Sequence, residues 1–340
     1  MLNNNLVIAN KTIGTETSPY IIAEIGSNFD KDFDKALRLI DVAAEAGADA
    51  VKFQLFRANK LYPNGGELYD IFKSIELDPN WVPKLRDHAS SRNVHFMASA
   101  FDFDSLNVLE DAKVPAHKIA SSETTNLGFL HQIAKTQKPL IISTGMCDFV
   151  DVLEAVNTCI AAGNRNIALM QCGALYPLPI DLSNLNVIRS FSAQFGCPVG
   201  FSDHTTGHVA ASTAIGLGAC IFEKHITLDR SSAGPDHFYA LEPEDLKAYI
   251  ETIRQSHQAL GSFDKEMLPK EREIGRREGL YFSRSLKSGE TISSSDIEIK
   301  RPALGLRSRY SNSIVGAKLS KDVEKDQPIT WEAIIFGDLK

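Results

Sequence analysis

The sequence has no Cys-x-x-Cys pair, no basic block, no long apolar run and no glycine-rich phosphate motif, and each absence removes a class of protein. Five cysteines, Cys147, Cys159, Cys172, Cys197 and Cys220, are scattered along the chain, which fits reduced thiols rather than a disulfide scaffold or a zinc cluster. No run approaches the ~18 apolar residues of a membrane span. The opening MLNNNLVIANKTIG has neither the basic stretch nor the apolar core of a secretory signal, so a cytoplasmic protein with no membrane partner is expected. Lysine and arginine total 36 against 43 aspartates and glutamates, a net charge of −7, and this balance argues against nucleic acid as a partner. A small anionic substrate would need a locally positive pocket.

What is present is a regular alternation. At 340 residues the chain has room for one large domain and a small one. Short β-rich runs, IIAE, AVKFQ, VHFMA, AHKIA, PLIIST, NIALMQ, CPVGF and ACIFEKH, alternate with helical patterns near residues 33–47 and 80–92, in FVDVLEAVNTCIAAG and in EDLKAYIETIRQSHQAL. Eight strand candidates with intervening helices, apolar enough to be buried on both faces, predict a closed (β/α)8 TIM barrel. A doubly wound open sheet is the competing architecture. It would place a G-x-G-x-x-G turn after the first strand, where this chain has Glu24-Ile25-Gly26-Ser27-Asn28-Phe29-Asp30. The pattern changes after residue 260. Residues 1–260 are expected to form the barrel, 261–278 a charged linker and 279–340 a small domain of short alternating strands.

Active sites of parallel barrels lie at the carboxyl ends of the strands, and here those ends are polar. In order they carry Glu24; Lys52 with Gln54; Ser99; Lys118 with Ser121 and Glu123; Ser143; Tyr176 beyond Cys172; Ser202 with Asp203 and His204; and His225. Two lysines in one mouth are best explained by an anion that neutralises them, with serines as short, orientable donors. Lys52, Lys118, Ser99, Ser121, Ser143 and Ser202 therefore compose an expected phosphate pocket. A histidine beside an apolar strand is commonly a hydrogen-bonded core residue. His204 and His225, at successive strand ends, could instead share one divalent metal and leave positions open for water and substrate. Glu24, Glu123 and Asp236 are available for proton transfer or for holding hydroxyls. His88 and His257 fall in helical patterns, His95 and His117 in strands. STGM lacks the G-x-S-x-G frame of a nucleophile elbow.

The segments KIASSETTN, STGM, GFSDHT, EKHITLD and AGPDHFYALEP resemble the sialic acid (N-acetylneuraminate) synthase family, and KRPALG resembles the C-terminal antifreeze-like (SAF, β-clip) domain of the same enzymes. The resemblance implies condensation of phosphoenolpyruvate with N-acetylmannosamine or a related N-acylated hexose, giving a nine-carbon α-keto sugar acid and phosphate. It implies a divalent metal, Mn2+ first with Mg2+ or Co2+ as alternatives, on His204 and His225. Lys52, Ser99, Lys118, Ser121, Ser143 and Ser202 match the residues that bind phosphoenolpyruvate. Glu24, Gln54, Glu123, Tyr176 and Asp236 match residues near the acceptor sugar, with Glu24, Glu123, His204 and His225 in catalytic roles. Arg301 matches an arginine that reaches the N-acyl group from the partner in a domain-swapped homodimer. Two departures stand out: relatives carry NHNG or NHEG where this chain has Asn28-Phe29-Asp30-Lys31, and KRPGxG where it has KRPALG. The first is expected beside the acceptor pocket. Legionaminic or pseudaminic acid synthesis, another phosphoenolpyruvate-dependent synthase, and a carbohydrate- or ice-binding module are the alternatives.

Overall fold

In the computed structural model, which describes residues 2–63 and 65–335, all eight β-rich runs form strands. A short antiparallel hairpin, β1 (Leu6–Ile8) and β2 (Lys11–Ile13), comes first and was not expected. The barrel strands are β3 (Tyr20–Gly26), β4 (Ala50–Leu55), β5 (His95–Ala100), β6 (His117–Ile119), β7 (Leu140–Ser143), β8 (Ile167–Cys172), β9 (Val199–Ser202) and β10 (Ile221–His225). Every neighbour pair is parallel, and β10 closes on β3, so the architecture is a closed barrel and the open-sheet alternative falls.

Strand alternation sorts the side chains into two layers. On β3, Ile21, Ala23 and Ile25 join the large outer core beneath the helices, whereas Tyr20 and Ile22 join the smaller interior core. Met97, Ile141, Ala168, Met170 and Ile221 belong to the same interior core, together with Leu6, Ile8 and Ile13 of the hairpin. The barrel axis is thus filled with apolar groups below, and its inward positions turn polar one step further along each strand. Gly200 on β9 faces this crowded axis. A Cβ there would stand 2.3 Å from Met170 Sδ and 2.5 Å from the Ile221 carbonyl, so only glycine fits.

The helices follow the expected positions, Phe33–Ala46, Val82–Ser91, Phe149–Ala161 and Pro243–Leu260 among them. Asp32, Asp102 and Asn126 cap the helices that follow β3, β5 and β6 by accepting a backbone N–H, a contact worth ~1 kcal/mol. Among the described residues no helix is long and apolar enough to cross a membrane.

The chain divides into two compact units, Met1–Gly261 and Ser262–Lys340. The second opens with a charged segment containing a short helix, Pro269–Ile274. It continues as paired short strands, β11 (Gly279–Phe282) with β12 (Ile297–Lys300) and β13 (Lys318–Leu319) with β14 (Ile334–Ile335). Leu280, Phe282, Leu286, Ile292, Ile314 and Ile329 form its own core. Residues 336–340 of the expected small domain lie outside the described residues.

Candidate active site

The carboxyl ends of the strands surround a cavity of about 500 Å³. Glu24, Lys52, Gln54, Lys118, Ser121, Glu123, Ser143, Tyr176, Ser202, His204, His225 and Asp236 all line it, so twelve of the fourteen residues singled out in the sequence converge. Lys52 and Lys118 are almost wholly buried. Charges in that position need partners. Lys52 Nζ lies 2.9 Å from Glu24 Oε2 and 3.7 Å from Glu223 Oε2, and Lys118 Nζ lies 3.4 Å from Glu223 Oε1. Lys118 also donates to Ser143 Oγ at 2.6 Å, and Ser202 Oγ donates to Glu223 Oε1 at 3.2 Å.

Glu223 went unnoticed in the sequence and is the centre of this network. Burial alone would push its carboxyl up, but the ammonium groups of Lys118 and Lys52 outweigh that and hold it well below the usual carboxylate range. Glu24 moves the other way, because burial outweighs its one lysine. The lysines differ for a related reason. Burial lowers Lys118, whereas the carboxylates of Glu223 and Glu24 together raise Lys52 against the same penalty. Two buried carboxylate oxygens, Glu24 Oε2 and Glu223 Oε2, have no neutral hydrogen-bond donor and face the Lys52 ammonium.

His204 and His225 stand beside this pocket with ring centroids 5.6 Å apart. Burial lowers both to about 4, so both imidazoles are neutral at neutral pH. His204 Nδ1 is 2.7 Å from the Gly173 carbonyl oxygen, which only accepts. The proton therefore sits on Nδ1, leaving a lone pair on Nε2, the tautomer a metal ligand needs. His225 Nδ1 faces the Tyr239 hydroxyl at 3.4 Å and Asp236 Oδ2 at 4.0 Å. The pair fits a divalent cation by this donor chemistry. Among the described residues no group of three or more His, Cys, Asp or Glu is placed to hold a metal, so two imidazoles would be the protein's whole contribution. Behind the barrel, Asp203 binds Lys224 at 3.2 Å and accepts from Tyr249 at 2.9 Å and from the Thr205 amide at 2.8 Å. These bonds fix the segment carrying His204.

On the other side of the cavity, Gln54 Nε2 donates to Glu24 Oε1 at 2.9 Å. Tyr176 packs on His204 with centroids 4.2 Å apart. Tyr239 donates to Asp236 Oδ1 at 2.8 Å. Gly26 ends β3 at φ +55, and a Cβ there would come within 3.1 Å of Asp236 Oδ2 and 3.3 Å of Gln54 Nε2. A side chain at Gly26 would therefore crowd the polar rim.

Glu123 lies in the turn after β6 and accepts from Ser122 at 2.6 Å. Burial raises it to about 7. An unfolded glutamate ionises near ~4.3, so between these values the folded protein holds a proton that the unfolded chain has lost. Stability from this group is full below the lower value and drains away as pH rises through the upper one. Glu123→Gln should match the wild type near pH 4 and exceed it at pH 8 by on the order of 2 kcal/mol. Thermal midpoints measured across that range check this, and parallel curves for the two proteins would contradict it.

Two expected site residues are not among those lining the cavity, and for Arg301 this accords with its expected place in the C-terminal domain. Ser99 does not line the cavity; it is fully buried below Lys52, with its Oγ 3.4 Å from Nζ. Arg301 belongs to the second unit, just after β12, where it pairs with Glu278 at 3.0 Å. Phe29, expected beside the acceptor pocket, is instead buried in the outer core against Phe53 and Trp81, with centroids 5.9 and 6.3 Å away. Its apolar ring is accommodated because that position faces the helices. The contact toward the site comes from the next residue: Asp30 Oδ1 meets His237 Nε2 at 2.9 Å, and Nδ1 of that ring meets Thr227 Oγ1 at 2.7 Å. Buried His237 thereby ties the loop bearing Asp236 and Tyr239 to the turn after β3.

The NeuB family model matches residues 39–265, and the SAF domain model matches residues 277–335. The chain is 34% identical to an N,N'-diacetyllegionaminic acid synthase of Legionella pneumophila, over 98% of this chain and 99% of that one. It is 30% identical to a pseudaminic acid synthase of Helicobacter pylori, over 93% and 98%. The crystal structure of the spore coat polysaccharide biosynthesis protein SpsE of Bacillus subtilis superposes with a TM-score of 0.70 at 35% identity, covering 98% of this chain and 100% of that one.

Proposed function

This chain belongs to the NeuB family and carries a SAF domain, and from that premise we propose that it condenses phosphoenolpyruvate with N-acetylmannosamine or a related N-acylated hexose, forming a nine-carbon α-keto sugar acid and releasing phosphate. The observation that carries the reading is the convergence of two buried lysines with two neutral imidazoles on one cavity. Lys52 and Lys118, with Ser121, Ser143 and Ser202, bind the phosphate and carboxylate of phosphoenolpyruvate. Ser99 supports Lys52 from below.

Gln54, Tyr176 and Asp236 hold the sugar, placing its aldehyde carbon against C3 of phosphoenolpyruvate. A bond forms between these carbons, and the aldehyde oxygen takes up a proton. Water then adds to the cationic C2, losing one proton, and the C2–O bond to phosphate breaks as the new hydroxyl passes its remaining proton to the departing phosphate and becomes the ketone. Glu24 and Glu123, both raised by burial, are matched to such proton transfers near neutrality. His204 and His225 would hold a divalent cation, for which we propose Mn2+, with Mg2+ or Co2+ as alternatives; its chemistry is Lewis acidity toward a substrate oxygen. We further propose a domain-swapped homodimer in which Arg301 holds the N-acyl carbonyl in the partner's barrel. Five free cysteines support a reducing compartment such as the cytoplasm.

A diacetamido-6-deoxy acceptor is the second reading, favoured by the 34% identity to a legionaminic acid synthase. The test is phosphate release and product mass from the purified full chain, given phosphoenolpyruvate and, singly, N-acetylmannosamine, diacetamido-6-deoxy hexoses and mannose. Release that depends on an N-acylated sugar is expected, and its identity selects the reading. Release that ignores the acceptor, or requires only mannose, would overturn it.

A further inference from the structure

We propose that the second unit carries an anion site of its own, built from arginines and suited to a small ligand with two phosphoryl groups. A cavity of about 360 Å³ is lined by Arg276, Arg277, Arg301, Arg307 and Arg309, with Glu278 the one carboxylate in the lining. Arg301 uses that carboxylate. Arg276, Arg307 and Arg309 have no carboxylate partner among the described residues, and Arg277 reaches only Met267 Sδ at 3.8 Å.

Elsewhere in the same unit several cations are matched. Arg284 meets Asp296 at 2.7 Å and Glu290 at 3.4 Å, Lys287 meets Asp322 at 2.8 Å, and Lys300 pairs with both Glu298 and Asp326. The cavity instead gathers four arginines without a carboxylate partner among the described residues, on a chain whose net charge is −7. Its walls are held by backbone pairing: Gly279 bridges Arg307, and the Leu280 amide donates to the Leu306 carbonyl at 2.8 Å. The Arg309 guanidinium is further placed over the Tyr310 ring, 4.8 Å from its centroid.

Guanidinium is a planar, permanently charged fork that binds phosphate oxygens in pairs. Four forks not committed to a carboxylate offer more donors than one phosphoryl group, with its three oxygens, can use. A diphosphoryl ligand matches both their charge and their number. A volume of about 360 Å³ is of the size of a small molecule. Arg301 already has a role in the proposed condensation; the other four lie outside it.

The test is calorimetric titration of the full chain with inorganic pyrophosphate, with saturating phosphoenolpyruvate present to occupy the barrel. The wild type should bind one pyrophosphate per chain. Arg307→Gln with Arg309→Gln should weaken binding at least about tenfold, a loss of two bidentate contacts. Arg307→Lys with Arg309→Lys, which keeps charge without the fork, should fall between. Condensation turnover and the thermal midpoint should not change in these variants. Equal pyrophosphate binding by wild type and the glutamine variant would overturn the site, as would lost turnover with unchanged binding. A wild type that binds pyrophosphate in this way but condenses nothing supports the arginine site and sinks the barrel reading instead.

Discussion

Glu223→Ala should lower the thermal midpoint by on the order of 10 °C, the largest stability loss expected of any single side chain at the mouth. Glu223 is shared by Lys52 and Lys118 at 3.7 and 3.4 Å, and it accepts from Ser202. Removing it leaves two buried ammonium groups with Glu24 alone between them. Breaking a buried pair from one side costs roughly 3–5 kcal/mol, because the remaining charge has lost its partner. An added anion should repair part of this damage. Phosphate should therefore raise the midpoint of the alanine variant by more than it raises that of the wild type, since a ligand stabilises in proportion to its affinity for the folded state. Glu223→Gln keeps the shape and one hydrogen bond but not the charge, and should fall between the two. An alanine variant with a wild-type midpoint and no added response to phosphate would show that the lysines do not depend on this carboxylate.

His225→Ala should reduce phosphate release from phosphoenolpyruvate and acceptor at least about a thousandfold while the barrel stays folded. Lewis acidity at a carbonyl oxygen contributes several kcal/mol, and about 4 kcal/mol is a thousandfold in rate. Two imidazoles are the expected protein ligands, so losing one removes half of them. A second readout does not involve turnover. Mn2+ should raise the midpoint of the wild type and leave that of His225→Ala unmoved. Full activity in the variant, or equal stabilisation by Mn2+, would refute the metal assignment.

The barrel was legible because its strands are short apolar runs with helical patterns between them, and because side chains alternate faces along a strand. That alternation also held the signal for Glu223. Ile221, Glu223 and His225 share one face of β10, so an inward His225 implies an inward Glu223 one step below it. The last residue of a strand alone says nothing of the inward residue one step beneath it. Ser99 shows the converse, since an inward residue near a strand end can be covered by a longer neighbour, here Lys52. Tyr239 and His237 lie in an irregular loop where no period applies. Their places depend on Asp236, Thr227 and Asp30, and Asp30 is more than two hundred residues away in the chain. The N-terminal hairpin is not legible in the sequence because strands of three residues carry too little alternation to register. The placement of Phe29 followed from the turn in which it sits, whereas its ring points to the helices.

The most direct measurement uses phosphoenolpyruvate labelled with 18O at the bridging oxygen, incubated with the wild-type protein, a divalent cation and the N-acylated sugar that supports turnover. If the mouth joins C3 of phosphoenolpyruvate to the sugar and expels phosphate from C2, the label leaves in the inorganic phosphate, and one nine-carbon α-keto acid appears for each phosphate released. Label retained in the organic product, or phosphate accompanied by pyruvate alone, would mean that the P–O bond is cut or that no carbon–carbon bond forms, and would contradict the condensation assigned to this barrel.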